Sequence, residues 1–462
     1  MNKRLLNFCA IALALLFLAV SVSAQEAAGK GKRALIVIPG LVGSTLENKV
    51  TGEKVWVKIS KSKNDGLDLP TTPDLTANKD NLVATGILEE VKIVNFLPGV
   101  SVYQGLLKYL EKEAGYKRGD WDDPALKTAA DLADTYFVFA YDWRRDNVEN
   151  ARLLVKRIEQ IKAKIGASAE NDAKELKFDV IAHSMGGLIT RYAAMYGDAD
   201  IPAQLRPTWA GARHFGRVVM LGTPNEGAMK SLEALNTGLS LNTIVGTYQP
   251  DYLNREVAFS FPALFQLLPH GRSARLFDEN LRPLRADIYD PQTWNAFGWS
   301  ALSDPKIAAK YTPAQRAQME KYLSVALLRA KRFHEALNVK TAVPDTLRFS
   351  AVGADCKLTL DGAVVYREEK TKTWKTLFRA ASFKNSAGEK IAEERVRGAV
   401  YAPGDGIVSR RSFFGETLSA QNGQSLVFPA DESPFKKLVC EAHTELPGKK
   451  SAQAEILRLL LQ

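Results

Sequence analysis

The sequence predicts an α/β protein built on a mostly parallel sheet with helices on both faces. Two observations predict it. Short apolar runs rich in Val, Ile and Phe alternate with stretches of helical periodicity, the pattern of parallel strands joined by crossover helices. The stretch Phe-Asp-Val-Ile-Ala-His-Ser-Met-Gly-Gly-Leu at 178–188 runs from an apolar strand, through a serine among small residues, into a helical pattern. That is the form of a nucleophile elbow, a strained turn that lifts a serine hydroxyl above the sheet. The motif carries Ala182 where Gly-x-Ser-x-Gly has its first glycine. One added methyl is a mild departure in a turn that needs small side chains.

The chain begins Met-Asn-Lys-Arg, continues through apolar Leu5 to Val20, and reaches Ser-Val-Ser-Ala before Gln25. A basic start, an apolar core and a small-residue exit predict a signal peptide, residues 1–24, cleaved after Ala24. The run is short for a membrane anchor, and no later stretch is long and apolar enough to span a bilayer. The mature protein is therefore expected in the periplasm or outside the cell. Loss of Lys3 and Arg4 takes the net charge from +10 to +8. Basic residues are scattered, as in Lys58, Lys61 and Lys63, or Arg395, Arg397, Arg410 and Arg411. They form no aromatic-interleaved ribbon, so nucleic acid is not an expected partner. A mild positive balance suits an anionic membrane surface, and equally an ordinary solvated one.

Beyond the leader, Arg33 to Gly40 reads as a buried strand ending in the loop Gly40-Leu41-Val42-Gly43-Ser44. Residues 46–100 are polar and turn-rich, with Trp56 in a short Val-Trp-Val run. A helix is expected from Ser101 to Glu113, a strand from Thr135 to Asp142, and an amphipathic helix from Asn150 to Ile165. The strand before the serine runs from Leu176 to Ala182, and the helix after it from Gly186 to Tyr196. A further strand, Phe215 to Leu221, ends in Gly-Thr-Pro-Asn. From Glu226 to Val343 the alternation stops, and the region reads as a helical cap inserted over the sheet. Its patch Phe259 to Leu268 suits either acyl-chain binding or the cap's own core. Strand patterns return at Thr346 to Val352, Lys357 to Tyr366 and Gly398 to Tyr401, and a last helix at Ala452 to Leu461. There is no internal repeat and no low-complexity linker, so residues 25–462 read as one large domain with insertions.

A serine hydroxyl is a poor nucleophile at neutral pH and needs a histidine held by a carboxylate. On such sheets the chain order is serine, acid, histidine. His214 enters a strand, and His270 and His334 lie in the cap. His443, in a loop before the last helix, is where the base belongs. His183 adjoins the serine and should point elsewhere. Asp405 follows a strand and lies between two glycines. It is the expected acid, with Asp361 second as the more hairpin-like turn. The oxyanion donors are expected at the N–H of Met185, directly after the nucleophile, and of Leu41 in the loop after the first strand. Five histidines are present and none pairs with another at ligand spacing, so no metal site and no cofactor is expected. Cys356 and Cys440 either pair in an oxidising compartment or remain two buried thiols.

Together, Ile38-Pro-Gly-Leu-Val-Gly-Ser-Thr-Leu-Glu, Tyr141-Asp-Trp-Arg-Arg, Ala182-His-Ser-Met-Gly-Gly, Leu221-Gly-Thr-Pro and Gly404-Asp-Gly-Ile-Val resemble the lecithin:cholesterol acyltransferase family. That family includes lysosomal phospholipase A2 and phospholipid:diacylglycerol acyltransferases. The resemblance implies an α/β-hydrolase core with Ser184, Asp405 and His443 as triad and Leu41 and Met185 as oxyanion donors. It implies a lid after the first strand, here within 46–100, with Trp56 as a loose match to an acyl-contacting tryptophan. The cysteine pair that closes the lid in animal members is absent. Tyr141-Asp142-Trp143 has either a structural job near the site or a substrate contact. The implied activity is hydrolysis of a lipid ester, or transfer of its acyl group to an alcohol. An esterase or thioesterase for small or polymeric esters is the alternative. A non-catalytic lipid-binding protein is disfavoured by the intact triad residues.

Overall fold

The computed structural model describes residues 32–57, 66–91, 100–166, 176–243, 246–248, 251–416 and 436–461. The expected leader and the Lys58, Lys61 and Lys63 cluster lie outside them.

Seven strands form the main sheet, in the order Lys436–Leu438, Arg348–Gly353, Phe215–Leu221, Phe178–His183, Leu35–Ile38, Thr135–Val138 and Lys117–Arg118. Every neighbouring pair is parallel. Successive side chains point to opposite faces of a strand, and the apolar residues divide accordingly. Leu35, Val37, Ile181, Val219, Leu221 and Val352 bury against helices Gln104–Lys112 and Lys450–Leu461. Ile36, Ile38, Val180, Ala182, Val218 and Met220 bury on the other side, against helices Asn147–Gly166 and Met185–Tyr196. Burial on both faces is why these strands read as unbroken apolar runs. The sheet is all-parallel and has the α/β-hydrolase arrangement. Its serine-bearing strand is central, so the loops leaving the carboxyl ends of its neighbours converge beside it.

The excursion after the first strand is more ordered than its polar composition suggested. Ser44–Asn48, Lys54–Trp56 and Leu82–Ile87 form a three-stranded antiparallel sheet. The segment around 67–80 is bolted down by Arg144, whose guanidinium is fully buried. Arg144 donates to Asp142 at 3.0 and 2.8 Å, to Asp80 at 2.6 and 2.9 Å, and to the Leu67 carbonyl at 3.0 Å.

Residues 226–343 are mainly helical, as expected. The longest helix, Pro313–Leu337, starts at a Thr312–Gln315 capping box with proline at its first position. Phe259, Phe261, Phe265 and Leu268 are fully buried, and Phe265 packs on Trp294 and Tyr322. The aromatic patch is thus core of this region. Three short strands among the described residues break the helical expectation: Leu241–Thr243 pairs with Gly246–Tyr248, and Arg275–Phe277 pairs with Gly362–Arg367 in a small separate sheet.

Two expectations further on need correction. The stretch Lys357 to Tyr366 is not one strand. Lys357–Leu360 pairs with Tyr401–Gly404, whereas Gly362–Arg367 pairs with Trp374–Leu377. Asp361 stands at the break. It is no hairpin turn but a buried carboxylate that accepts from Arg275 at 2.7 Å and Arg411 at 2.6 Å. Residues 398–400 end a helix, Glu393–Val400, and the strand begins only at Tyr401. Val396 and Val400 bury one turn apart, and Glu393 pairs with Arg397 at 2.7 Å, so local contacts favour the helix.

Candidate active site

Phe178–His183 ends in Ser184, whose backbone has φ 53° and begins helix Met185–Tyr196. A positive φ at a serine is strained, and the surroundings enforce it. The Ser184 N–H donates to the Leu221 carbonyl at 2.7 Å, tying the turn to the next strand. Thr223 packs on Gly187 so closely that a Cβ there would lie 2.0 Å from its Oγ1. Ala182 fits the elbow because it still lies in regular pairing with Ile38 and Met220 on either side.

His443 comes from 259 residues away in sequence, and its Nε2 lies 2.9 Å from Ser184 Oγ. Its Nδ1 lies 2.7 Å from Asp405 Oδ2. Asp405 Oδ1 accepts from the N–H groups of Ile407 at 3.0 Å and Val408 at 2.7 Å. The His443 N–H donates to the Asp405 carbonyl at 2.9 Å, so acid and base are also joined through the backbone. All three side chains are buried. A carboxylate accepts only, so His443 Nδ1 carries the proton and Nε2 is free to take one from the serine. The sequence-predicted Ser184, Asp405 and His443 therefore meet in one hydrogen-bonded chain able to deprotonate a hydroxyl.

Met185 occupies the first helical position, where an N–H has no intrahelical acceptor. The Gly40–Gly43 loop lies beside the serine, and a Cβ on Gly40 would fall 2.8 Å from Ser184 Cβ. Neither the Leu41 nor the Met185 N–H has an acceptor among the described residues.

Trp56, the loose match to an acyl-contacting tryptophan, packs inside the protein. It is buried, donates from Nε1 to the Val42 carbonyl at 2.8 Å and packs edge-on against Trp143. It braces the loop that carries Leu41. Tyr141 and Trp143 brace the same loop, through Tyr141 Oη to the Pro39 carbonyl at 2.7 Å and Trp143 Nε1 to the Ser44 carbonyl at 3.1 Å. The Tyr141-Asp142-Trp143 motif thus has a structural job.

The remaining histidines lie apart from the serine hydroxyl. His214 is pushed down to about 3, first by burial and then by Lys162 and Arg213. His270 and His334 stack on each other with ring centroids 4.2 Å apart, and burial holds His270 down at about 4.

Sequence reasoning missed Gly222. A Cβ there would lie 2.9 Å from His443 Nδ1 and 3.0 Å from Asp405 Oδ2, and its φ is +54°. Backbone alone fits against that hydrogen bond. The only sequence signal was the glycine of Leu-Gly-Thr-Pro. Gly222→Ala is expected to lower kcat about 100-fold with little change in KM, because the imidazole moves off line. Steady-state kinetics beside a circular dichroism spectrum checks this, and an unchanged kcat would contradict it.

Cys356 and Cys440 form a disulfide, with Cα atoms 5.5 Å apart. Cys356 precedes the strand that pairs with Tyr401–Gly404, which leads to Asp405. Cys440 lies just ahead of His443. The bridge therefore clamps the supports of acid and base together. The Cys356→Ser/Cys440→Ser variant is expected to lose about 2–4 kcal/mol of stability. Denaturant titration against the oxidised wild type measures it.

The model of the lecithin:cholesterol acyltransferase family matches residues 82–357, more than half of the chain. Among solved structures, a chain of "The crystal structure of Tle4-Tli4 complex" superposes with a TM-score of 0.54 at 13% identity. The match covers 93% of this chain and 98% of that one, and at this identity it speaks for the fold. No match was found among curated proteins. A family match of that extent, on a sheet of this order, makes the chain a member of the lecithin:cholesterol acyltransferase family with an α/β-hydrolase fold.

Proposed function

We propose that the protein is an exported serine hydrolase or O-acyltransferase that acts on lipid esters, phospholipid or acylglycerol, through an acyl-serine intermediate at Ser184. The observation that carries the reading is the unbroken chain of hydrogen bonds from Ser184 Oγ through His443 to Asp405. In the first half-reaction Ser184 Oγ attacks the ester carbonyl as its proton passes to His443 Nε2. The Leu41 and Met185 N–H groups stabilise the oxyanion, and losing one such donor costs about 3 kcal/mol. The intermediate collapses to acyl-serine, and the leaving alkoxide takes the proton from His443. Water or an alcohol acceptor then attacks the acyl-serine by the reverse path. No step calls on a metal or cofactor.

Family membership supports a lipid ester as donor, residues 46–100 as a lid, and residues 226–343 as a cap. The leader-like start and the disulfide support export to an oxidising compartment, periplasmic or extracellular. No helix among the described residues is long and apolar enough to cross a membrane.

The test uses purified mature protein with phospholipid vesicles, with and without a long-chain alcohol, and Ser184→Ala as control. Free fatty acid or new ester that requires both Ser184 and His443 is expected. Failure of a fluorophosphonate to label the wild-type protein would remove the reading. Faster turnover of short soluble esters than of vesicle lipid would favour the small-ester alternative.

A further inference from the structure

We infer that Tyr103 and His183 form a positioning strut that joins the oxyanion loop to the backbone of the general base, so that the two halves of the site are held in one register. The inference rests on the acyl-serine reading above.

Tyr103 Oη lies at the junction. It accepts from the Gly40 N–H at 2.8 Å and lies 2.7 Å from His183 Nδ1. His183 Nε2 lies 3.0 Å from the His443 carbonyl oxygen. Proton positions follow from these partners. A carbonyl only accepts, so His183 Nε2 bears the hydrogen and donates to it. In the neutral ring Nδ1 is then the acceptor, and Tyr103 donates to it. Each hydrogen of the strut is donated once, and all run in one direction, from the Gly40 amide to the His443 carbonyl.

The strut is buried throughout. Tyr103 is 1% exposed and His183 5%. Burial first, and the neighbouring His443 second, hold His183 well below its ordinary value, so it stays neutral while His443 becomes charged in turnover. Their ring centroids are 4.8 Å apart. A second cation at that distance would oppose the imidazolium on which the mechanism depends.

Neither residue touches the reacting atoms in the proposed mechanism. Gly40 abuts Ser184 and precedes Leu41, the second oxyanion donor, while His443 is the base. These two loops come from strands that are not neighbours in the sheet. Tyr103 and His183 connect them directly, with the nucleophile beside the connection. A strut of this kind acts on transition-state geometry rather than on substrate affinity, and its loss should appear in kcat.

The test compares Tyr103→Phe, His183→Asn and His183→Gln, each normalised to active sites titrated with a fluorophosphonate. Tyr103→Phe removes one hydroxyl. His183→Asn keeps an acceptor near Nδ1 but loses the donor to His443. His183→Gln can restore a donor at the Nε2 position. The first two are expected to lower kcat per titrated site about 10- to 100-fold. KM should stay within about twofold, and His183→Gln should recover part of the loss. The strut idea is overturned if Tyr103→Phe keeps its wild-type kcat, or if the losses lie in KM or in the titrated fraction. It is equally overturned if His183→Gln is no better than His183→Asn. Should His183→Asn fail to fold, Tyr103→Phe alone decides. Wild-type turnover with an inactive Ser184→Ala upholds the acyl-serine reading whichever way these variants fall.

Discussion

Asp405→Asn is expected to lower kcat by about four orders of magnitude while the fold stays intact. The reason lies in which amide atom will face the imidazole. Asp405 Oδ1 accepts from the Ile407 and Val408 N–H groups. Asparagine has one oxygen and must keep it there, since a reversed amide would set donors against donors. Its NH2 group then points at His443 Nδ1 and makes that nitrogen an acceptor. The neutral ring moves its proton to Nε2, where it cannot take the Ser184 proton. Hydrolysis of a chromogenic ester gives kcat, and a thermal melt reports the fold. A loss under tenfold with an intact melt would contradict the assignment of Asp405 as the orienting acid.

The second large effect concerns stability. Arg144→Met is expected to cost about 3–5 kcal/mol, because it leaves buried carboxylate charge without its cation. Burial alone would lower the Arg144 guanidinium, but the charges and hydrogen bonds of Asp142 and Asp80 outweigh it and hold it up. Without Arg144, Asp142 keeps no cation beside it among the described residues, and the Leu67 carbonyl loses its donor. Segment 67–80 should loosen first, seen as faster hydrogen exchange and earlier proteolysis there. Adding Asp142→Asn and Asp80→Asn should recover part of the loss, since the penalty comes from unpaired charge rather than missing volume. A single-variant cost below about 1 kcal/mol would show that the cluster is better hydrated than its geometry implies.

The elbow was legible because its signal is local. Strand, small residues, serine and helix follow one another within 178–196, and chain order then pointed to Asp405 and His443. Residues whose roles depend on distant partners were not legible. His183 was expected only to turn away from the serine; its bonds run to Tyr103 and to His443, which are 80 and 260 residues away. Asp361 resembled a turn because Asp-Gly is common in turns, and nothing nearby announced Arg275 or Arg411. Trp56 was a loose match to the family's tryptophan, and its bond to the Val42 carbonyl was not legible. The strand expected at Gly398 to Tyr401 failed through a competition of local signals. Val400 and Tyr401 favour extension, but the Glu393–Arg397 pair and the Val396–Val400 spacing carry the helix through to Val400. The pairing of Cys356 with Cys440 could not be read from spacing, since it requires knowing that strands Arg348–Gly353 and Lys436–Leu438 are neighbours.

The helix Lys450–Leu461 contributes no atom to the reacting groups, yet it closes the segment that delivers His443. Ala452, Ile456, Leu459 and Leu460 seat against the sheet, and Gly448, just before the helix, abuts Gly105. A polypeptide released at Lys449 would contain every reacting side chain and still lack the wedge that keeps its base in place. Activity assays on chains shortened by successive turns from this end should show a sharp onset rather than a gradual rise.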